Sequence, residues 1–206
     1  MNAVLEQVSE GIRMTADEFA DSIYARGFEL VDGIVVPRNT SPKNFFKERN
    51  QMPTGALHGV VTSRLTTYLT VFVIENDLGE TCAAETGFRL NPDTVRGADI
   101  AFIQQDKIDV FGIPINFFPV APDLAVEVIS PSNTYDEIQD KIEKYFNGGT
   151  KLVWIVDPKR RKIFVHRPND TVSLLNENDI LEGEGVIPNF RLPLEKVFGK
   201  LSQIEE

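Results

Sequence analysis

The chain has 206 residues, 42% hydrophobic and 25% charged, which is the balance of a folded globular protein. Its formal net charge of -10 argues against a broad basic surface that coats nucleic acid, but it is compatible with a local basic cleft. One cysteine and two histidines exclude an intramolecular disulfide, a cysteine zinc cage and a histidine-rich metal site. Any catalytic metal would therefore lie among carboxylate oxygens, which favours Mg²⁺ or Mn²⁺.

The length suits one domain, so we expect residues 1–206 to form a single unit with a core at about 56–167. No apolar run approaches the roughly 20 residues that cross a bilayer. The first residues carry Glu6 and Glu10 where a signal peptide would be basic and then apolar. The sequence therefore predicts a cytoplasmic protein without a membrane partner.

The N-terminal part predicts a short helix and a β-hairpin. Thr15 and Glu18 form the capping box that typically begins a helix. The apolar segments FELV and IVV flank Asp32-Gly33, a pair that suits a two-residue hairpin turn.

A loop and a long helix follow. Residues 37 to 55 contain three prolines and four basic residues without apolar periodicity, which predicts a loop. From His58 to about Asn76, apolar residues recur every three or four positions, which predicts the longest helix, packed on a sheet.

The second half predicts strands with one helix among them. Thr134 and Glu137 form a second capping box, which begins that helix. The passage 123–156 then reads as a crossover between parallel neighbours. The order predicts an α/β fold in which one central mixed sheet is flanked by helices, preceded by the N-terminal helix and hairpin. The predicted strands are ETGFRL, ADIAFI, DLAVEVI, KLVWIVD and KIFVHR.

Two of these strands carry an acid that alternation points inward. Glu127 lies between valines in DLAVEVI, and Asp99 shares a face with apolar residues in ADIAFI. A buried carboxylate costs several kcal/mol unless something compensates its charge. A metal ion between the two acids would do so. Alternatively, each acid meets a basic residue or lies at a wet sheet edge.

Lys141 is the basic residue that follows these acids in the next helix. It projects about 60° from Ile138, at the edge of the apolar stripe, so its side chain is able to reach back toward the strand ends. A surface pair with Glu137, one helical turn earlier, is an equally good interpretation.

Together these residues resemble the Uma-two family of candidate restriction endonucleases. The resemblance rests on Asp99, on Glu127 within PDLAVEVISPS, on Lys141 with Tyr145 in the following helix, and on VWIVDP. This family is similar in turn to the PD-(D/E)XK nuclease superfamily, and the likeness extends from FELVDGIVV through LPLEKVF. It implies a restriction-endonuclease-like core and hydrolysis of phosphodiester bonds.

The resemblance also implies roles for particular residues. Asp99 and Glu127 would hold a magnesium ion, and Lys141 would stabilise charge or position water. The sequence departs from the superfamily at Ile129, two residues after Glu127, where a lysine is usual. Within the family that lysine has moved to the helix, where Lys141 stands.

Three further residues are weaker candidates. Glu85 in AAETGFRL is a possible third acid, although an exposed strand residue explains it as well. The resemblance also draws attention to Glu29, beside the predicted turn, and to His58. A histidine at a helix start is usually a hydrogen-bonded structural group.

Two surface features bear on partners. Residues 157–162 hold four basic side chains, which suit either a tight turn or contact with DNA phosphates alongside Lys43, Lys47 and Arg49. Residues 111–120 are apolar and either cover the core or form the contact of a homodimer.

We therefore expect a magnesium-dependent DNA endonuclease that acts as a homodimer. The competing hypothesis is a catalytically weak or silent nuclease-fold protein that binds nucleic acid or protein, because Ile129 replaces the usual lysine and the chain is acidic. A glycosidase that uses two acids is a third possibility, and the nearby lysine suits phosphate chemistry better.

Overall fold

The computed structural model describes residues 11–25, 27–37, 55–84, 86–130, 133–199 and 201. The predicted loop residues 38–54, which include Lys43, Lys47 and Arg49, and the candidate Glu85 lie outside the described residues. In chain order the elements are α1 (Ala16–Ala20), a 3-10 turn (Ile23–Ala25), β1 (Phe28–Val31), β2 (Ile34–Pro37), α2 (Ala56–Glu75), β3 (Gly79–Ala83), β4 (Phe88–Asn91), β5 (Thr94–Arg96), β6 (Ile100–Gln104), α3 (Gln105–Phe111), β7 (Leu124–Val128), α4 (Tyr135–Asn147), β8 (Leu152–Asp157), β9 (Lys162–His166), β10 (Val172–Asn176), β11 (Ile180–Glu182), β12 (Arg191–Pro193) and α5 (Glu195–Phe198).

A six-stranded mixed sheet forms the centre of the fold, in the order β10-β9-β8-β7-β6-β3. Strands β7 and β8 are parallel neighbours, and α4 connects them, as the crossover prediction requires. The other neighbouring pairs of this sheet are antiparallel. The predicted α/β fold with a central mixed sheet between helices is confirmed.

Helix α2 covers one face of the central sheet. Its stripe of Val61, Leu65, Leu69 and Val73 is fully buried against that face. The helix has 20 residues and a hydropathy of 1.2, which is long and apolar enough for a membrane span. The expectation that no stretch reaches such a length was therefore wrong. Its buried stripe packs on the sheet, while Val60, Val71 and Ile74 of the same helix are exposed.

Helix α4 covers the opposite face. The predicted capping box is present, since the Thr134 side chain accepts from the Glu137 amide and Glu137 accepts in return. Ile142 and Tyr145 are buried against the sheet, where Ala125 of β7 lies in the same apolar cluster. Because side chains alternate along β7, the face of Ala125 is also the face of Glu127.

A second sheet, in the order β2-β1-β5-β4, stands beside the first. The predicted hairpin is present, with positive φ angles at Asp32 (51°) and Gly33 (75°) in its turn. The prediction that ETGFRL joins one common sheet was wrong, because β4 pairs with β5 and so belongs to this second sheet. Strand β5 is only three residues long and gave no signal in the sequence.

The basic segment 157–162 is the turn between β8 and β9. Asp157 accepts hydrogen bonds from the Arg160 amide at 2.9 Å and from its guanidinium at 2.8 Å. Arg161 donates to Glu177 at 2.8 Å. The tight-turn interpretation is therefore correct, and DNA contact by this segment stays a prediction.

The apolar segment 111–120 divides into two parts. Phe118 is buried, and the ring of Phe117 lies 6.3 Å from that of Phe19, so this part covers the protein's own core. Ile113 and Ile115 are exposed, at 66% and 102% of their surface. Only the earlier part remains available for a contact with another chain.

Candidate active site

Asp99 and Glu127 both lie at one end of the central sheet. In the antiparallel pair of β6 and β7, Ile100 lies opposite Val126 and Ala101 opposite Ala125. Asp99 directly precedes β6, and Glu127 follows Val126 in β7, so the two acids lie at the same end of this strand pair. Glu127 projects to the side that α4 covers, and, in addition to burial, the charge of Asp99 is close enough to raise the pKa of Glu127.

Glu127 is buried and receives two hydrogen bonds from α4. Lys141 Nζ lies 2.7 Å from Glu127 Oε2, and the Tyr145 hydroxyl donates to Oε1 at 2.8 Å. The donors are four residues apart and therefore lie on the same side of the helix. The Lys141 side chain therefore reaches the strand, as one of its two interpretations requires.

Asp99 has hydrogen-bond partners on β7 and on α2. Its Oδ2 atom accepts a hydrogen bond of 2.8 Å from the Val128 amide and lies 3.3 Å from His58 Nε2. Thr62 Oγ1 lies 3.4 Å from the other ring nitrogen of His58. His58 is therefore hydrogen-bonded, as expected for a histidine at a helix start, but its partner is a residue of the candidate site.

Glu29 reaches the same region from the second sheet. It is 2% exposed, and its Oε1 atom accepts from the Gly97 amide at 3.0 Å. Its Oε2 atom is buried and has no hydrogen-bond partner in the described part of the chain. Glu29 is close enough to Lys141 and Tyr145 for its charge to help raise the pKa of both, whereas Glu85 lies outside the described residues.

Arg96 is a residue of this region that the sequence did not single out. Its side chain is buried, donates to Asp140 at 3.1 Å and lines a small cavity together with Glu127 and Lys141. The one available signal was its position three residues before Asp99, in the run VRGAD.

Burial and neighbouring charges raise the pKa values of three residues of this site. Burial raises the pKa of Glu127, and the nearby charge of Asp99 adds to this effect, although Lys141 opposes it. Burial tends to lower the pKa of Lys141, but the charges of Glu127 and Glu29 outweigh it and raise that pKa. Burial and the charge of Glu127 raise the pKa of Tyr145. Glu127, Lys141 and Tyr145 therefore all hold their protons more tightly than usual, Glu127 and Tyr145 chiefly because they are buried.

This donor set fits a hard divalent ion. Asp99 and Glu127 supply carboxylate oxygens, which are the ligand atoms that such ions prefer. The described residues contain no group of three His, Cys, Asp or Glu side chains arranged to hold a metal. Magnesium commonly binds through one or two carboxylates and completes its shell with water and substrate phosphates, so two protein ligands are sufficient.

Comparison with known proteins bears on the fold and on the family. The crystal structure of "a putative nuclease belonging to DUF820 from Anabaena variabilis ATCC 29413" superposes with a TM-score of 0.72 at 20% sequence identity, over 90% of this chain and 97% of that one. This likeness confirms the predicted nuclease fold. No curated protein matches the sequence. A family model, Uma2, described as "Putative restriction endonuclease", matches residues 48–195. Because this match covers more than half of the sequence, the chain belongs to the Uma2 family.

Proposed function

We propose that this protein is a magnesium- or manganese-dependent endonuclease that hydrolyses phosphodiester bonds of DNA. The observation that carries the proposal is the cluster in which the Val128 amide, next to Glu127, donates to Asp99 at 2.8 Å while the Lys141 ammonium lies 2.7 Å from the Glu127 carboxylate. Membership of the Uma2 family supports it.

In this proposal Asp99 and Glu127 hold the divalent ion. When bound, such an ion lowers the pKa of a coordinated water and polarises the phosphate. The Val128 amide fixes the carboxylate of Asp99, and the Tyr145 hydroxyl fixes that of Glu127. Side chains held in this way need no reorganisation when the substrate arrives.

Lys141 supplies positive charge beside the acids. Its ammonium group would stabilise the negative charge that develops on the phosphate oxygens during hydrolysis. Ile129 occupies the position of the usual lysine and packs against the apolar cluster under α4. The helix thus places an ammonium group at Glu127 although the strand carries no lysine, so the departure at Ile129 does not leave the site without one.

The second candidate function is a nuclease-fold module that binds nucleic acid or protein without useful turnover. One observation favours it. Both carboxylate oxygens of Glu127 already accept hydrogen bonds, from Lys141 and Tyr145, so the network is satisfied without a metal. A site that served only stability would have this arrangement.

A nicking assay separates the two functions. Supercoiled and linear DNA are incubated with the protein in Mg²⁺, in Mn²⁺ and in EDTA. We expect nicking with the metals and none in EDTA, and loss of nicking in Asp99→Asn. The matched control is Glu143→Gln, which removes a carboxylate from the exposed side of α4 and should leave nicking unchanged. If no metal supports nicking by the unmodified protein, the binding module becomes the better account.

A further inference from the structure

Arg96 is a buried cation that the proposed chemistry does not yet use. It ends β5, and its side chain is 3% exposed. A guanidinium cannot lose its proton in a protein, so burial does not neutralise it. A buried charge is costly unless anions or hydrogen-bond acceptors surround it.

The protein satisfies Arg96 only in part. Its Nη2 atom donates to Asp140 at 3.1 Å, and Asp140 is 40% exposed and also pairs with Lys144 at 3.0 Å. Its Nε atom is buried and has no acceptor in the described part of the chain. The Arg96 guanidinium therefore shares the carboxylate of Asp140 with Lys144, and its Nε–H group is left without an acceptor in the described part of the chain.

Two cavities meet at Arg96. The smaller one is also lined by Glu127 and Lys141 of the candidate active site. The larger one, of about 760 Å³, is also lined by Glu29 and Phe28. The larger cavity has space for an anion at Arg96 and for the rest of a larger molecule, and the smaller one, of about 20 Å³, connects Arg96 with Glu127 and Lys141.

We propose that Arg96 binds a phosphate group of the DNA backbone next to the Glu127–Lys141 pair, an inference that rests on the proposed function. The planar fork of a guanidinium matches phosphate oxygens in a two-point contact, which an ammonium group does not provide. Arg96 would therefore orient the strand, while Lys141 faces the group that reacts. Asp140 competes with the phosphate for Nη2.

The test is DNA binding in EDTA, where the proposed nuclease does not cut, measured with a fluorescent duplex over a range of KCl concentrations. Arg96→Gln should lower the affinity about tenfold or more, as for the loss of hydrogen bonds to a charged group. It should also reduce the slope of log affinity against log salt by about one. Arg89→Gln is the matched control, because Arg89 lies on the neighbouring strand, pairs with Asp17 and lines neither cavity.

A second pair of variants keeps the test valid if Arg96→Gln does not fold. Asp140→Asn removes the competing carboxylate and should raise the affinity several-fold. Asp17→Asn, which removes the partner of Arg89, should not. Misfolding would not raise affinity. Because Asp140→Asn also releases Lys144, the increase supports the proposal when it persists in a Lys144→Met background, and an increase that disappears there overturns it.

The outcomes for this inference and for the proposed function are distinct. Binding that depends on Arg96 without any cleavage would support the phosphate site and contradict the endonuclease. Cleavage together with equal losses of affinity in Arg96→Gln and Arg89→Gln would overturn the phosphate site alone. If the protein binds inorganic phosphate through Arg96 but no DNA, the assignment to a DNA backbone is overturned.

Discussion

The Lys141 ammonium lies 2.7 Å from the Glu127 carboxylate although 14 positions separate the two residues in the sequence. The contact forms because β7 leads into α4, which returns across the sheet face that Glu127 occupies. Both side chains are nearly inaccessible, with exposures of 10% and 8%. Glu127 is therefore one half of a buried ion pair.

This pair determines the expected effect of Glu127→Gln on stability. If Glu127 were an isolated buried carboxylate, its replacement by glutamine would leave the free energy of unfolding unchanged or increase it. Removal of one partner instead leaves a buried ammonium uncompensated, so we expect a loss of about 3 kcal/mol in the free energy of unfolding. Urea denaturation in metal-free buffer measures this change.

The double variant Glu127→Gln with Lys141→Met is the control for that experiment. It removes both charges and should recover most of the lost stability, since an apolar replacement of a whole buried pair is often neutral. A glutamine variant as stable as the unmodified protein would show that the pair contributes nothing to folding.

Lys141 should also weaken metal binding. Its ammonium and a divalent ion are attracted to the same carboxylate and repel each other. At about pH 8, Lys141→Met should therefore raise the affinity for Mg²⁺ by roughly tenfold, as expected for 1–2 kcal/mol of relieved repulsion, while nicking falls strongly. Calorimetric titration gives the affinity, with Lys144→Met as a neighbouring lysine that does not contact Glu127. Unchanged affinity would place the metal away from Glu127.

The contact between His58 and Asp99 predicts a pH-dependent stability. The hydrogen bond to Asp99 is the largest cause that raises the pKa of His58 above its ordinary 6.5, and burial opposes it. This stabilisation is complete below pH 6.5 and is lost as the pH rises through the raised pKa. Burial tends to raise the pKa of Asp99, but the hydrogen bonds from His58 and the Val128 amide hold it below 3.8. The contribution of Asp99 is present above pH 3.8 and is lost as the pH falls through the lowered pKa.

His58→Gln should accordingly cost more stability at about pH 5.5 than at about pH 8.5 in metal-free buffer. Thermal unfolding of both proteins across this range measures the difference. The control is His166→Gln. Burial lowers the pKa of His166, so this replacement should increase the free energy of unfolding at low pH instead of decreasing it. A cost for His58→Gln that does not vary with pH would mean that the ring stays neutral in the folded protein.

Local rules account for the parts of the fold that the sequence predicted. The capping box at Thr134 and the period of β7 depend on neighbouring residues alone, so the start of α4 and the direction of Glu127 follow from the printed sequence. Lys141 was ambiguous, since helical spacing permits both a surface pair and a contact with the strand. The side of the sheet on which α4 packs decides between these, and this is a tertiary property.

The remaining parts depend on contacts between distant segments. Glu29 enters the site because its carboxylate accepts from the Gly97 amide, 68 residues away. Arg96 belongs to a strand of three residues, too short to show a period, and its burial comes from the second sheet and from α4. Strand β4, which contains the end of ETGFRL, pairs with β5 and therefore lies in the second sheet instead of the central one. No pattern within one segment carries this information.

A homodimer remains our prediction for the protein in solution, with the exposed part of segment 111–120 as its contact. Phe117 packs on Phe19 and is unsuitable for a test, but Ile113 and Ile115 are exposed beside Phe111, which is 45% exposed. Their burial at about 25 cal/mol per Å² would favour association. Two-fold symmetry would also double the basic contacts available to DNA, which a chain of net charge -10 needs.

Light scattering coupled to size exclusion measures the mass directly. We expect twice the chain mass of 23.1 kDa at micromolar concentration, and Ile115→Asp should reduce it to that of one chain. Ile74→Asp is the control, because Ile74 is 62% exposed on α2, outside this segment. A single-chain mass for the unmodified protein would refute the dimer. If Ile74→Asp separates the chains and Ile115→Asp does not, the contact lies on α2, and the exposed residues of segment 111–120 have no part in it.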